Sequence, residues 1–116
     1  MLVNIKALGF PLTEAIRDHV ANRIGSALDP FTPDAMKVTV RLDDINAARG
    51  GVDKRCSIIV ALRGKGVVAA TSIHEDLYVA ASEAATRIRR SVKRFHRRRL
   101  TARRRPLRGR RALVVS

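Results

Sequence analysis

Residues 75–97 read EDLYVAASEAATRIRRSVKRFHR and decide how this 116-residue chain folds. Apolar side chains recur in this stretch every three or four residues, which is the spacing of one helix face. They are Leu77, Ala81, Ala84, Ile88, Val92 and Phe95. At about 100° per residue, a row of cations falls on the opposite side. These cations are Arg87, Arg90, Lys93, Arg94 and Arg97. The stretch predicts a helix from Glu75 onward, with a buried apolar seam and a cationic back.

The apolar seam of this helix stops at Phe95, because Leu100 falls away from it. Pro106 cannot continue a helix, since proline has no backbone N–H and its ring clashes with the preceding turn. We expect residues from about Arg98 onward to form a frayed or flexible arm. The predicted organisation is a folded domain over residues 1–97 and an arginine-rich arm over residues 98–116.

Upstream of this helix the sequence predicts four strands and a second helix. Thr13 is placed to cap a helix, whose apolar positions recur at helical spacing. These positions are Ile16, Val20, Ile24 and Ala27. Apolar segments over residues 2–7, 36–42, about 55–63 and about 66–72 predict the strands. The order strand-helix-strand-strand-strand-helix predicts an α+β fold, a four-stranded mixed sheet with two helices on one face.

The sequence does not decide which face of the third predicted strand is buried. Cys56, Ile58, Val60 and Leu62 compete for the core with Ile59 and Ala61. The polar residues 43–53 suit a hairpin loop before this strand, and residues 64–66 join it to the fourth.

All of the surplus positive charge lies at the end of the chain. Residues 1–83 hold ten acidic and ten basic side chains. Residues 84–116 hold thirteen Arg, one Lys and no acid, so the net charge of +14 is a local property. A surface that only confers solubility mixes both signs, and ion pairs along the helix cannot account for this one. Because each cation placed on a phosphate releases condensed counterions, the segment predicts binding to nucleic acid.

Aromatic side chains are scarce, which bears on how nucleic acid would be bound. The chain has only Phe10, Phe31, Tyr78 and Phe95, and Phe95 belongs to the seam. Proteins that bind single strands stack bases on several rings, so recognition of folded RNA through shape and phosphates fits better. Tyr78 is expected to pack beside the seam or to contact RNA.

The histidines and the cysteine do not form a reactive site in the sequence. His19, His74 and His96 are far apart and lack a carboxylate or cysteine at ligand spacing, so no metal site is predicted. His74 is placed to help cap the last helix. Cys56, the only thiol, is interpreted as a small core residue.

No catalytic motif is present either. Small peptidyl-tRNA hydrolases also combine a compact body with a basic arm, but they need Gly-Gly-Gln. Here Gly50-Gly51 is followed by Val52, and the chain contains no glutamine. We therefore predict no enzymatic activity and no cofactor. Without a leader-like or membrane-spanning segment, we expect a cytoplasmic protein.

Two segments of the chain resemble a known family. Residues 12–17, LTEAIR, and residues 74–78, HEDLY, are similar to the bacterial ribosome hibernation promoting factors and ribosome-associated inhibitors. The opening Asn4-Ile5 and the predicted order of elements agree, and the resemblance covers about residues 2–97.

The resemblance implies a protein that lodges in the small ribosomal subunit between head and body, where mRNA and tRNAs would otherwise lie. Members contact 16S ribosomal RNA through basic residues of both helices, which blocks translation and preserves idle ribosomes. Arg87, Arg90 and Arg94 match basic positions of the family's last helix, and Arg17 and Arg23 match arginines of the first.

The chain departs from the family's pattern in three ways. Val79, Ala81 and Ser82 replace the residues that are usual after Asp-x-Tyr in the family. Arg89 and Lys93 add charge where relatives are often acidic or neutral. We expect a short form, in which the arginine-rich arm stands where long members have a separate dimerising domain.

The sequence therefore predicts a noncatalytic ribosome-binding factor that is monomeric when free and takes the small subunit, the 70S ribosome and 16S rRNA as partners. The predicted RNA-binding residues are Arg17, Arg23, Arg87, Arg89, Arg90, Lys93, Arg94, Arg97 and Arg98. One alternative is a general nucleic-acid-coating protein driven by the basic arm. Another is a module whose sheet face, interpreted as neutral and unpatterned, recruits a second protein.

Overall fold

A computed structural model describes residues 2–31, 35–45, 54–64 and 66–104, without the side chains of Met36 and residues 99–104. Its elements in chain order are β1 (Leu2–Leu8), α1 (Glu14–Leu28), a short 3-10 helix (Asp29–Phe31), β2 (Ala35–Asp44), β3 (Lys54–Leu62), β4 (Val67–His74) and α2 (Leu77–Arg104). The predicted α+β order of strands and helices is confirmed.

The sheet has the strand order β1-β2-β3-β4. The β1 and β2 strands are parallel because α1 connects them, whereas the two hairpins make the other pairs antiparallel. Both helices pack on the same face, so within the described residues no helix covers the opposite face of the sheet. This arrangement is the predicted one, a mixed sheet with two helices on one face.

The core lies between the sheet and the two helices and consists mainly of aliphatic side chains. In β3, Cys56, Ile58, Val60 and Leu62 are buried, whereas Ile59 is 47% exposed, which resolves the face that the sequence left open. From the helices, Ile24 and Ile88 are almost completely buried against this layer. The predicted stripes of α1 and α2 therefore form the second half of the core.

Several element boundaries differ from the sequence-based expectation, and three of them affect a loop or the last helix. The β2 strand runs through Asp43 and Asp44, because both pair with β3, where a loop was expected. Helix α2 begins at Leu77 rather than Glu75, because the carboxylate of Asp76 caps it. It continues to Arg104, although a frayed arm was expected from about Arg98. Residues 46–53 and 105–116, and with them Gly50-Gly51 and the rest of the arm, lie outside the described residues.

Candidate nucleic-acid interface

The position of α2 on the sheet determines where its cations point. Ala84, Ile88 and Val92 are almost completely buried, and the half-buried Phe95 packs against the same core. Because this seam fixes the rotation of the helix, the cations on its remaining surface face outward. The exposed cations are Arg87, Arg89, Arg90, Lys93, Arg94, Arg97 and Arg98. They cover about half of the helix circumference at 3.6 residues per turn, and we call them the cationic arc.

One end of the cationic arc lies against α1. Arg23 of α1 and Arg89 of α2 line the same groove, which has a volume of about 130 Å³. Ser26 and Thr86 add hydroxyl groups to its wall. Two guanidinium groups beside a small groove can bind one phosphate from both sides, because arginine presents paired N–H donors. The structure thus brings together two residues that the sequence placed on different helices.

The middle of the cationic arc is exposed to solvent. Arg90, Lys93, Arg94 and Arg97 line a shallow hollow of about 440 Å³ on the outer surface of α2. Within the described residues, none of the four makes an ion pair. Their charges are consequently available to a polyanion in solution.

The other end of the cationic arc lies against the edge strand β4. Arg94 and Arg98 line a second hollow, of about 480 Å³, together with Ser91 and Phe95. The guanidinium of Arg87 donates a hydrogen bond to the backbone carbonyl of Thr71 in β4. Arg87 therefore has a structural contact in addition to any contact with RNA, which the sequence alone did not indicate.

The arc has no acidic residues to neutralise it. Glu83 is the last carboxylate of α2, and it accepts a hydrogen bond of 2.6 Å from the buried hydroxyl of Ser72. Beyond it, like charges follow one another at intervals of three and four residues, as at Arg90, Arg94 and Arg98. Each such pair destabilises a helix by about 0.2–0.5 kcal/mol. A bound polyanion would remove this repulsion.

The entry to α2 is fixed by a network that joins it to α1. The carboxylate of Asp76 accepts from the N–H of Tyr78 at 2.9 Å, and His74 Nδ1 accepts from the N–H of Asp76 at 3.0 Å. His19 of α1 lies with Nε2 3.3 Å from the carbonyl of Tyr78 and 3.4 Å from the hydroxyl of Ser82. The His19 and Tyr78 rings meet edge to face at 4.8 Å. The expected capping role of His74 is confirmed, with Asp76 as the cap itself.

The sequence pattern of a known family matches almost all of the described chain. The family described as sigma 54 modulation protein / S30EA ribosomal protein matches residues 3–100. This chain belongs to that family. The match includes all nine residues predicted to bind RNA, and the resemblance drawn from the LTEAIR and HEDLY segments is confirmed at the level of the family.

Two solved structures are similar to this member of the S30EA family. The N-terminal domain of Protein Y from Thermus thermophilus has 29% sequence identity and a TM-score of 0.69, over 82% of this chain and 99% of that chain. A ribosomal subunit interface protein from Coxiella burnetii has 14% identity and a TM-score of 0.72, over 83% of this chain and 98% of that chain. The latter likeness shows a shared fold. No protein with a curated description matches this chain at a significant level.

Arg17 and several unpredicted residues complete the candidate interface. Arg17 is exposed on α1 but does not line any of the three hollows described above for the other predicted cations. Sequence reasoning missed Ser26, Thr86 and Ser91, which line the two side hollows together with the arginines. Their spacing of three residues from Arg23, Arg89 and Arg94 was the available signal.

Other chemistry finds little support in the described part of the chain. It contains no cluster of three or more metal-ligating side chains and no helix long and apolar enough to cross a membrane. Burial raises the pKa of the Cys56 thiol to about 12, and the nearby Asp43 carboxylate adds to this shift. A thiol with such a pKa is protonated at neutral pH and is a poor nucleophile. Cys56 is therefore a core residue, as predicted.

Proposed function

We propose that this S30EA family member is a noncatalytic ribosome-binding factor that occupies the mRNA and tRNA channel of the small subunit through contacts with 16S rRNA. The observation that carries the proposal is the cationic arc, which is exposed, without carboxylates and anchored by a rigid seam. The match of residues 3–100 to the S30EA ribosomal protein family supports a ribosomal partner.

The proposed mechanism is occupancy. Residues 1–83 form a body with equal numbers of acidic and basic side chains, and the arc on α2 neutralises phosphates of folded RNA on one side of it. Arg23 and Arg89 bind a phosphate in the groove between the helices, while Arg90, Lys93, Arg94 and Arg97 contact the backbone along the outer surface of α2. The bound body then excludes mRNA and tRNA by its volume, which inhibits translation and preserves idle ribosomes.

The test is to remove two cations from the middle of the arc and measure binding to purified 30S subunits. Arg90→Gln combined with Arg94→Gln keeps good helix formers, and both side chains are exposed. Arg87 is left unchanged because it also holds β4. A charged hydrogen bond contributes about 1.5–3 kcal/mol, so we expect affinity to fall at least about tenfold.

The matched control changes the net charge equally at another place. Asn4→Glu combined with Ile45→Glu alters exposed positions at the far side of the sheet. We expect this variant to bind 30S subunits as the unchanged chain does. Equal weakening by both variants would show that total charge, not the arc, determines binding, and would refute the proposal.

The dependence on salt gives a second, independent measurement. Each phosphate contact contributes about 0.7–0.9 to the slope of log affinity against log salt, so the arc variant should lower the slope by about twice this value. Truncation after Arg104 tests the coating alternative. A ribosome factor keeps its preference for 30S subunits over bulk RNA, whereas a coating protein loses most of its binding.

A further inference from the structure

The face of the sheet opposite α1 and α2 differs in charge from the neutral surface expected from the sequence. Side chains of all four strands alternate onto it, and they surround a hollow of about 670 Å³. Lys6, Arg41, Ser57 and Thr71 form one continuous row across the hollow, because they are register partners on successive strands. We call this surface the open face.

The open face carries an excess of positive charge. Lys6, Lys37 and Arg41 are exposed on it, and none of them makes an ion pair within the described residues. The carboxylate of Asp43 also lies on this face, but Arg55 binds it through two hydrogen bonds of 2.6 and 2.9 Å. Asp43 is thereby occupied, and its pairing raises the pKa of Arg55.

Two of these cations are placed against each other. Lys6 of β1 and Arg41 of β2 are direct register partners, and like charges opposite each other destabilise a sheet. Within the described residues no carboxylate offsets this pair. Repulsion between two cations that no neighbouring carboxylate relieves is typical of a surface that binds a negatively charged partner.

The same face is also apolar. Of the seven large hydrophobic side chains that are exposed in the described residues, five lie on it. They are Leu2, Leu8, Ile59, Val67 and Ile73, with exposed fractions from 43% to 65%. Apolar side chains therefore lie on both sides of the cation pair, and the described positions of this face include no aromatic ring on which a base could stack.

These properties select one kind of occupant. RNA would gain from the cations but not from the aliphatic side chains, since stacking needs aromatic rings. A second copy of this chain would place Lys6 and Arg41 against their own equivalents, which is unfavourable. We propose that the open face binds an acidic segment of a partner protein, in which carboxylates flank aliphatic side chains. Its carboxylates pair with Lys6 and Arg41, and its aliphatic groups cover Ile59 and its neighbours.

The experiment titrates nucleic-acid-free protein with a short extended peptide. In this peptide Glu, Leu, Glu and Val occupy alternate positions separated by Ser, which places all four on one face of an extended chain. Amide chemical shifts of the full chain report where the peptide binds. We expect the largest shifts at Lys6, Arg41, Ile59 and Thr71, and a dissociation constant at least about tenfold higher for Arg41→Glu. If Arg41→Glu fails to fold, Lys6→Glu serves the same purpose.

Matched peptides and variants decide between the occupants. We expect Ile59→Thr, which keeps a β-branched side chain, to weaken binding, and Arg90→Gln with Arg94→Gln to leave it unchanged. Equal binding of a peptide with Ser in place of Leu and Val, or of one with Lys in place of Glu, would overturn the proposal. So would shifts confined to α2, or an RNA oligonucleotide that competes at the same amides. Concentration-dependent dimers that Arg41→Glu changes would assign the face to a second copy and would equally refute it.

Discussion

The contact between Gly66 and Phe95 makes the replacement of one hydrogen atom by a methyl group a sharp test of how α2 is anchored. A Cβ placed on Gly66 would lie 2.0 Å from Cζ, 2.4 Å from Cε2 and 2.8 Å from Cε1 of Phe95. Carbon atoms in ordinary contact are about 3.5–4.0 Å apart, so in Gly66→Ala the ring must retreat by about 1.5 Å. Because Phe95 ends the apolar seam and is half-buried, we expect the ring to move outward, away from the core.

The size of the effect follows from what the ring loses. Full burial of a Phe side chain contributes about 1.5–3 kcal/mol, and Phe95 is only half-buried, so its displacement costs about 1–2 kcal/mol. Alanine also restricts the unfolded chain, which offsets about 0.4–1 kcal/mol. We expect Gly66→Ala to lower the free energy of unfolding by about 1 kcal/mol, measured by urea denaturation followed by circular dichroism.

Two comparisons isolate the contact as the cause. With Phe95→Ala already present, Gly66→Ala should be neutral or stabilising, which gives an interaction energy of about 1–2 kcal/mol between the two sites. Gly25→Ala is the matched control, because nothing lies within 4 Å of its Cβ in α1, and it should stabilise by about 0.5–1 kcal/mol. The reasoning fails if Gly66→Ala costs the same with and without the Phe95 ring.

Three further predictions concern other parts of the chain. Because burial in the folded state raises the pKa of Cys56 from its ordinary value of 9.0 to about 12, stability should fall as pH rises above 9.0, where only the unfolded thiol ionises. Native protein should not react with a thiol reagent at neutral pH, and Cys56→Ala should lose less stability between pH 9 and 10. Asp76→Ala removes the cap of α2 and should cost about 1 kcal/mol in urea denaturation. Arg23→Gln and Arg89→Gln should weaken binding to 30S subunits non-additively, because both side chains line one groove.

Each of these three has a result that contradicts it. Rapid labelling of Cys56 in the native protein would show that the thiol is accessible. An unchanged unfolding midpoint for Asp76→Ala would assign the cap to His74 or to the backbone. Strictly additive losses at Arg23 and Arg89 would mean that they contact separate phosphates.

The periodic parts of the fold could be predicted from the sequence because a single pattern determines them. Thr13 accepts from the N–H of Ile16 at 3.2 Å as the predicted cap, and the apolar seam of α2 is buried as its spacing indicated. Burial of the seam also sets the outward direction of Arg90, Lys93 and Arg94. The spacing of residues along one helix was sufficient to predict which of these side chains are buried and which face outward, since all of them belong to α2.

The remaining features depend on contacts between residues distant in the sequence. The Asp43–Arg55 pair extends β2 and β3 into residues that were expected to form the hairpin loop. A polar pair of this kind does not produce the apolar alternation by which a strand is recognised in sequence. The contact of Arg87 with Thr71 and the convergence of Arg23 with Arg89 need the packing of α2 on β4 and α1. The buried face of β3 was ambiguous because both of its faces carry apolar side chains, Ile59 and Ala61 on one and Cys56, Ile58, Val60 and Leu62 on the other.

The absence of carboxylates after Glu83 has a consequence for how the free and bound protein respond to ionic conditions. Dissolved ions screen the mutual repulsion of the arginines, so added salt should raise the melting temperature of the isolated chain. The same ions compete for the phosphates and should loosen the complex. Low salt thus favours the complex with RNA, whereas high salt favours the free folded chain. A protein with balanced charges along this helix would show neither trend.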